Sequence, residues 1–174
     1  MKIFLVAGKS GSGKTEVAKL INEYYVYQKQ RCAITSYSKY LKNFAKELDN
    51  WDGNENTKPR DFLQKLGDLI RQKDPNYFVS NMIKDIEIYS EYLDVLIIAD
   101  VRMPEEIDKI RESYDDVYSI CMENQFAQSK LTLEQQMHIT EIALDNYNDF
   151  DFVIANDDLA LLKDKVFKFL ESIR

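Results

Sequence analysis

Eight consecutive residues, Gly8-Lys9-Ser10-Gly11-Ser12-Gly13-Lys14-Thr15, match the pattern G-x-x-x-x-G-K-[ST] at every fixed position. Glycines at this spacing let consecutive backbone N–H groups turn inward and form a nest for phosphate oxygens. A helix starting at the end of the motif adds the positive end of its dipole at the same place. Lys14 can then reach β- and γ-phosphates, and the Thr15 hydroxyl can ligate Mg²⁺. The candidate phosphate contacts are therefore Gly8, Ser10, Gly11, Ser12, Gly13, Lys14 and Thr15, with ATP and Mg²⁺ as the implied cofactors. The bland alternative, a glycine-rich turn joining a strand to a helix, would not require Lys-Thr at this point. Lys9 fills a free position of the motif and reads as solvated.

Two more residues suit the same chemistry. Asp100 ends the apolar run Val95-Leu96-Ile97-Ile98-Ala99. A carboxylate at the C-terminal end of a buried strand faces the ligand crevice of an open α/β sheet, where it can hold Mg²⁺ through water together with Thr15. Its structural alternative is a cap or turn residue ahead of Pro104. Arg102 follows on the same edge, and an arginine neutralises phosphoryl oxygens bidentately. Of the six arginines, Arg31 precedes a strand, Arg111 falls in a helix and Arg174 ends the chain. Arg60, Arg71 and Arg102 remain as site candidates, although a solvated helix face would also explain the first two. Lys14, Asp100 and Arg102 form the candidate catalytic set.

These groups need a scaffold, and the sequence alternates apolar runs with helical periodicities, the pattern of a parallel α/β sheet. Ile3 to Ala7 reads as a strand buried on both faces. Val17, Leu20, Ile21 and Tyr24 mark a helix over Lys14 to Gln28. Cys32 to Tyr37 reads as a second strand, and Leu41, Phe44, Ala45 and Leu48 mark a second helix. Asn50 to Lys58 is a polar loop. Pro59 opens a third helix, with Phe62, Leu66, Leu69 and Ile70 as its buried stripe and Arg60, Gln64, Gly67 and Arg71 opposite. Asp74-Pro75 reads as the N-cap and first residue of a fourth helix that buries Val79, Met82, Ile83 and Ile86.

Val95 to Ala99 is the third strand. A short helix follows from Pro104, with Ile107 and Ile110. Val117 to Cys121 and Phe152 to Ala155 are the last strands. Leu159, Leu162, Val166, Phe169, Leu170 and Ile173 mark the final helix. The connection between the last two strands, about 25 to 30 residues, is long against ordinary loops and reads as a lid.

With 174 residues, 45% of them hydrophobic, and no linker or repeat, the chain reads as one domain with a real core. The net charge of -7 and pI near 4.8 lack the basic footprint of a double-stranded nucleic-acid or anionic-membrane binder. The longest apolar run is too short to span a bilayer. Met1 to Val6 runs into the glycine motif without a cleavage site, so it is read as a strand rather than a signal peptide. Cys32 and Cys121 are expected to be buried, reduced thiols. A cytoplasmic monomer or homodimer is the expectation.

Longer segments resemble a known family. Pro59-Arg60-Asp61-Phe62-Leu63-Gln64-Lys65-Leu66-Gly67 with Arg71, Asp100-Val101-Arg102-Met103-Pro104-Glu105-Glu106, and His138-Ile139-Thr140-Glu141 followed by Tyr147 and Phe150 to Asn156 are similar to the deoxynucleoside monophosphate kinases of tailed bacteriophages. The resemblance implies a three-layer α/β/α P-loop kinase fold with a five-stranded parallel sheet and a lid insertion. It implies a single domain over 1–174, a helical acceptor-binding region over 38–90 and a lid over 122–149. By the same likeness Arg60, Gln64 and Arg71 line the acceptor pocket, Arg102 lies near the transferred phosphate, and Lys42 matches a lysine of the family's S-F-A-D-P-L-K stretch. Lys39 and Tyr40 replace that stretch's Asp-Pro pair. The lid is poor in arginine, leaving Lys130 and His138 as its basic groups, and a capping role is the plain alternative for His138. Tyr37, Tyr40 and Phe44 are candidates to stack on a base.

The implied reaction is in-line transfer of the ATP γ-phosphoryl group to a nucleoside monophosphate or similar small phosphorylated acceptor. An anionic acceptor oxygen needs no strong base, so positioning and charge neutralisation carry the step. Two alternatives stand beside it. One is a kinase for another phosphorylated metabolite, of the phosphomevalonate or dephospho-coenzyme A type. The other is a nucleotide-binding sensor without transferase activity. Ala155-Asn156-Asp157-Asp158 does not match the N-K-x-D guanine motif, which disfavours a GTPase.

Overall fold

An unbroken apolar strand has no side chain to turn toward water, so it must be covered on both faces. In the computed structural model, which describes residues 1–124 and 131–173, the first such run lies in β1 (Lys2–Gly8) at the centre of a five-stranded sheet. The strand order is β2-β3-β1-β4-β5, with β2 (Cys32–Thr35), β3 (Val95–Val101), β4 (Val117–Glu123) and β5 (Phe152–Ala155). Every ladder is parallel. The expected α/β architecture of a five-stranded parallel sheet between helical layers is what the chain adopts.

Period-two alternation splits the core into two halves. Phe4, Val6, Val95 and Ile97 face α1 (Lys14–Tyr27) and α8 (Leu159–Ser172), where they meet Val17, Ile21, Val166 and Phe169. Ile3, Leu5, Leu96 and Ile98 face α4 (Tyr77–Ser90) and α5 (Pro104–Ser113), where they meet Val79, Met82, Ile107 and Ile110. The register places Leu5 opposite Ile98 on one side and Ser119 on the other.

Two helices stand off the sheet. α2 (Ser38–Leu48) packs on α3 (Arg60–Lys73) through a satellite cluster of Ala45, Trp51 and Leu63, which gives Trp51 its role. The crossover from β4 to β5 carries two short helices, α6 (Leu133–Gln136) and α7 (Ile139–Ile142). Lys130 and Arg174 lie outside the described residues.

Several boundaries differ from the sequence reading. β2 stops at Thr35, so Ser36 and Tyr37 form the turn into α2. β3 continues through Asp100 to Val101. Asp74 ends α3 instead of starting α4, and its carboxylate accepts the Asn76 N–H at 2.9 Å. The buried face of α3 is also rotated. Leu63 and Gly67 are buried, whereas Leu69 is 57% exposed, because the side carrying Arg60, Gln64 and Arg71 faces a cavity and not bulk water. The cysteines are free, as expected, but only half-buried. Burial still pushes the Cys32 thiol up to about 11 and raises that of Cys121.

Leu5→Ala removes a fully buried side chain between two strands and is expected to cost about 2–5 kcal/mol. Leu69→Ala, on the exposed side of α3, should stay within about 0.5 kcal/mol. Urea midpoints at unchanged m-values measure both, and a large loss at Leu69 would contradict the face assigned to α3.

Candidate functional site

The loop between β1 and α1 needs its glycines. Gly8, Gly11 and Gly13 take φ values of 137°, 81° and 101°, which side-chain-bearing residues rarely adopt. A Cβ on Gly8 would lie 2.6 Å from the Met122 carbonyl oxygen, and one on Gly13 would lie 2.4 Å from Asn156 Nδ2. Asn156, just past β5, braces the loop by donating from Nδ2 to the Ser12 carbonyl at 3.1 Å. Gly8, Ser12 and Gly13 thus shape the loop, while Ser10, Gly11, Lys14 and Thr15 line the cavity beside it.

Lys14 folds back over its own loop. Its Nζ donates to the carbonyl oxygens of Gly8 and Lys9, each at 2.7 Å. Burial, aided by the nearby Arg102 guanidinium, lowers its pKa to about 7, while Glu141 and Asp100 pull the other way.

Asp100 holds the opposite wall in place. Its two carboxylate oxygens accept the N–H groups of Tyr37 at 2.7 Å and Ser38 at 3.0 Å, fastening the start of α2 to the end of β3. The capping alternative therefore applies, but to α2 rather than to the helix after Pro104. Each oxygen keeps a lone pair, so the group still suits a water ligand of a hydrated cation. Thr15 and Asp100 line one cavity, and Mg²⁺ is commonly held by one or two such oxygens plus substrate phosphates. The donors fit that ion. Among the described residues no group of three or more His, Cys, Asp or Glu forms a denser metal cluster.

That cavity is about 780 Å³. Besides the loop, Asp100 and Arg102, it is lined by Lys42 of α2 and by Arg60, Gln64 and Arg71 of α3. The fold thus brings the acceptor-side candidates into one cavity with the glycine loop. Lys42 lies 3.6 Å from Glu55, and the Arg71 guanidinium lies 4.8 Å from the Phe78 ring centre. Gly67 makes room for that arginine, since a Cβ there would approach its Nη1 to 3.1 Å. Lys39, which stands where the resembled family has aspartate, is held in an ion pair with Asp85 at 2.6 Å.

Other candidates fall outside or are engaged elsewhere, although Tyr37 and His138 do line the cavity. Tyr40 hydrogen-bonds Asp85 and, like Phe44, does not line the cavity. Tyr37 and Phe78 line it but are 4% and 3% exposed. Arg111 is taken up by Asp149 and Asp151, and Arg31 by Asp94. Lys9 is not merely solvated, because it pairs with Asp145 at 2.8 Å. His138 caps α7 through Nδ1, which accepts the Thr140 N–H at 3.3 Å, and its Nε2 lies 3.0 Å from Asp68.

Three residues escaped the sequence reading. Lys58 adds a cation beside Lys42 and Arg60, and burial and those neighbours lower its pKa. Glu106 is a buried residue of the cavity lining, and its Oε2 accepts the N–H groups of Arg102 at 2.7 Å and Met103 at 3.2 Å. Its position three residues after Met103, with Pro104 between, was the available signal, a glutamate at N3. Glu141 accepts the Ser10 N–H at 2.9 Å and Arg102 Nη1 at 2.7 Å. It was visible only as the last residue of the His138-Ile139-Thr140-Glu141 stretch.

The profile of the phosphomevalonate kinase family matches residues 6–116, from β1 through α5 to the start of β4. The chain belongs to the phosphomevalonate kinase family. The matched span includes the glycine loop and all of Lys42, Arg60, Gln64, Arg71, Asp100 and Arg102. Over 117 residues, covering 65% of this chain, it is 32% identical to an uncharacterized protein, ORF77, of Ictalurid herpesvirus 1. The chain spans about half, 49%, of that relative's length.

Solved structures share the fold. TT1252 from Thermus thermophilus has a TM-score of 0.59 at 14% identity, covering 98% of this chain and 96% of its own. A gluconokinase from Sinorhizobium meliloti scores 0.58 at 12%, covering 99% and 93%. Shikimate kinase from Aquifex aeolicus scores 0.56 at 13%, covering 99% and 97%. The resemblance to phage monophosphate kinases extends, in these comparisons, to the P-loop kinase fold they share.

Burial pushes the Glu106 carboxyl up to about 8, helped by Asp100 and opposed by the two backbone donors. Between its ordinary value of 4.5 and about 8, the folded protein holds a proton that the unfolded chain lacks. Stability from this group is therefore full below about 4.5 and is lost as pH rises toward about 8. Glu106→Gln keeps an acceptor for Arg102 and Met103 and should flatten that slope. Urea unfolding of both proteins at pH 5 and pH 8 checks it, and identical slopes would contradict the neutral carboxyl.

Proposed function

We propose that this chain is an ATP-dependent kinase that transfers the γ-phosphoryl group to the phosphate of a small metabolite, giving ADP and a diphosphate. The observation that carries the reading is one cavity lined both by Lys14 and Thr15 and by Lys42, Arg60 and Arg71. In this reading a donor site and a set of anion-receiving cations share one space of small-molecule size. In this reading Lys14 and Arg102 neutralise the transferring group, while Thr15 and Asp100 hold Mg²⁺, which would screen the triphosphate's charge. Arg60, Gln64, Arg71 and Lys42 orient the acceptor. The β4–β5 crossover serves as the lid, residues 38–90 as the acceptor region, and the cytoplasm as the place of work. No described helix is long and apolar enough to cross a membrane.

The acceptor we favour is phosphomevalonate or a close aliphatic analogue. Family membership supports it. So does the burial of the aromatics that line the cavity, because Tyr37 and Phe78 leave little ring face for a base and Arg71 covers Phe78. The second reading, a nucleoside monophosphate acceptor, is supported by the resemblance of the Gln64-Lys65-Leu66-Gly67 and Asp100-Val101-Arg102 segments to the phage kinases.

ADP release from Mg-ATP with phosphomevalonate, each ribo- and deoxyribonucleoside monophosphate, or no acceptor separates these readings. Strong stimulation by phosphomevalonate alone is expected, stimulation by a nucleotide selects the second reading, and equal slow release throughout contradicts both. Lys14→Ala should abolish acceptor-dependent release. Arg102→Ala should lower kcat on the order of 10²–10³-fold with the fold intact.

A further inference from the structure

Donors arranged for an anion stay costly when no acceptor meets them in a buried place. Two such donors are already met by the protein's own carboxylate. Glu141, in α7 of the β4–β5 crossover, accepts the Ser10 N–H through Oε2 at 2.9 Å and Arg102 Nη1 through Oε1 at 2.7 Å. Its side chain is 10% exposed, and its charge raises the pKa of Lys14, so it sits within the field of the loop's lysine. The glycine loop and Arg102 thus converge on a carboxylate brought from a segment 131 residues away.

The rest of the crossover is fastened in the same sense. Asp145 pairs with Lys9 of the loop at 2.8 Å. On the other side Gln64 donates to the Gln135 carbonyl at 3.3 Å, and His138 Nε2 meets Asp68 at 3.0 Å. One end of this segment is therefore tied to the glycine loop and the other to α3, and His138, Thr140 and Glu141 between them line the cavity.

We propose that Glu141 is a built-in competitor for the terminal phosphate of the nucleotide, a latch that holds the crossover shut until a triphosphate displaces it. The inference rests on the reading of Gly8 to Thr15 as an ATP site. The carboxylate and a terminal phosphate require the same donors, and two anions a few ångströms apart in a partly buried site repel strongly. Latched protein and bound triphosphate are therefore alternatives. The measured affinity for ATP is then the intrinsic affinity reduced by the fraction of molecules already unlatched. Displacement also frees Arg102 to turn from Glu141 to the arriving phosphate, which links nucleotide entry to readiness of the arginine.

The test is calorimetric titration with the non-hydrolysable analogue AMPPNP and Mg²⁺, comparing the wild-type chain with Glu141→Gln. The amide keeps the size of the side chain and can still accept from Ser10, but it lacks the charge. The variant should bind about tenfold tighter, as loss of a competing charge-assisted pair demands. Unchanged or weaker binding overturns the latch and leaves Glu141 a structural brace. Absence of AMPPNP binding by the wild type overturns the ATP site itself and the latch with it. Should the variant fail to fold, hydrogen exchange on the wild type decides. AMPPNP should raise exchange at the α7 amides Ile139 to Ile142, and unchanged exchange there overturns the proposal.

Discussion

A parallel sheet delivers the C-terminal ends of its central strands to one edge, and the turns leaving those ends expose backbone N–H groups that no strand partner can meet. In this molecule carboxylates meet them. Asp100 takes the amides of Tyr37 and Ser38, Glu106 takes those of Arg102 and Met103, and Glu141 takes that of Ser10. The first fixes α2 against β3, the second shapes the entry to α5, and the third brings the crossover onto the glycine loop. The walls of the cavity stand where they do because this edge must be satisfied by acceptors.

The same constraint reconciles a net charge of -7 with a cavity lined by cations. Acidic residues dominate the chain, yet Lys14, Lys42, Lys58, Arg60, Arg71 and Arg102 all line one cavity. The acids that reach it are spent on backbone amides or on Arg102 and Lys42. Burial then sets their protonation, pushing Glu106 up to about 8 and Lys14 down to about 7. Both shifts lower the charge stored beneath the site before any ligand arrives.

The sheet was largely legible in the sequence, because Ile3 to Ala7 and Val95 to Ala99 have no side chain that tolerates water. The conformation of the glycine loop was equally so, since its turns demand glycine at Gly8 and Gly13, with φ values of 137° and 101°. The face of α3 was not legible. Amphipathic reasoning assigns a polar side to bulk water, and here the polar side of Arg60, Gln64 and Arg71 borders the cavity while Leu69 faces out. Asp100 was placed at the site, but its partners are backbone amides 62 and 63 residues away in sequence, which carry no sequence signal. Glu141 was hidden for the opposite reason, since charge logic expects cations, and not a carboxylate, beside a loop read as a phosphate site.

The account's central claim is that the acceptor is itself a phosphate, so that charge and position suffice without a catalytic base. The ³¹P NMR spectrum of the product formed from Mg-ATP and the acceptor tests this most directly. The account predicts two coupled resonances from a new phosphoanhydride, appearing with ADP. A single uncoupled phosphate-ester resonance, showing transfer to a hydroxyl, would contradict it.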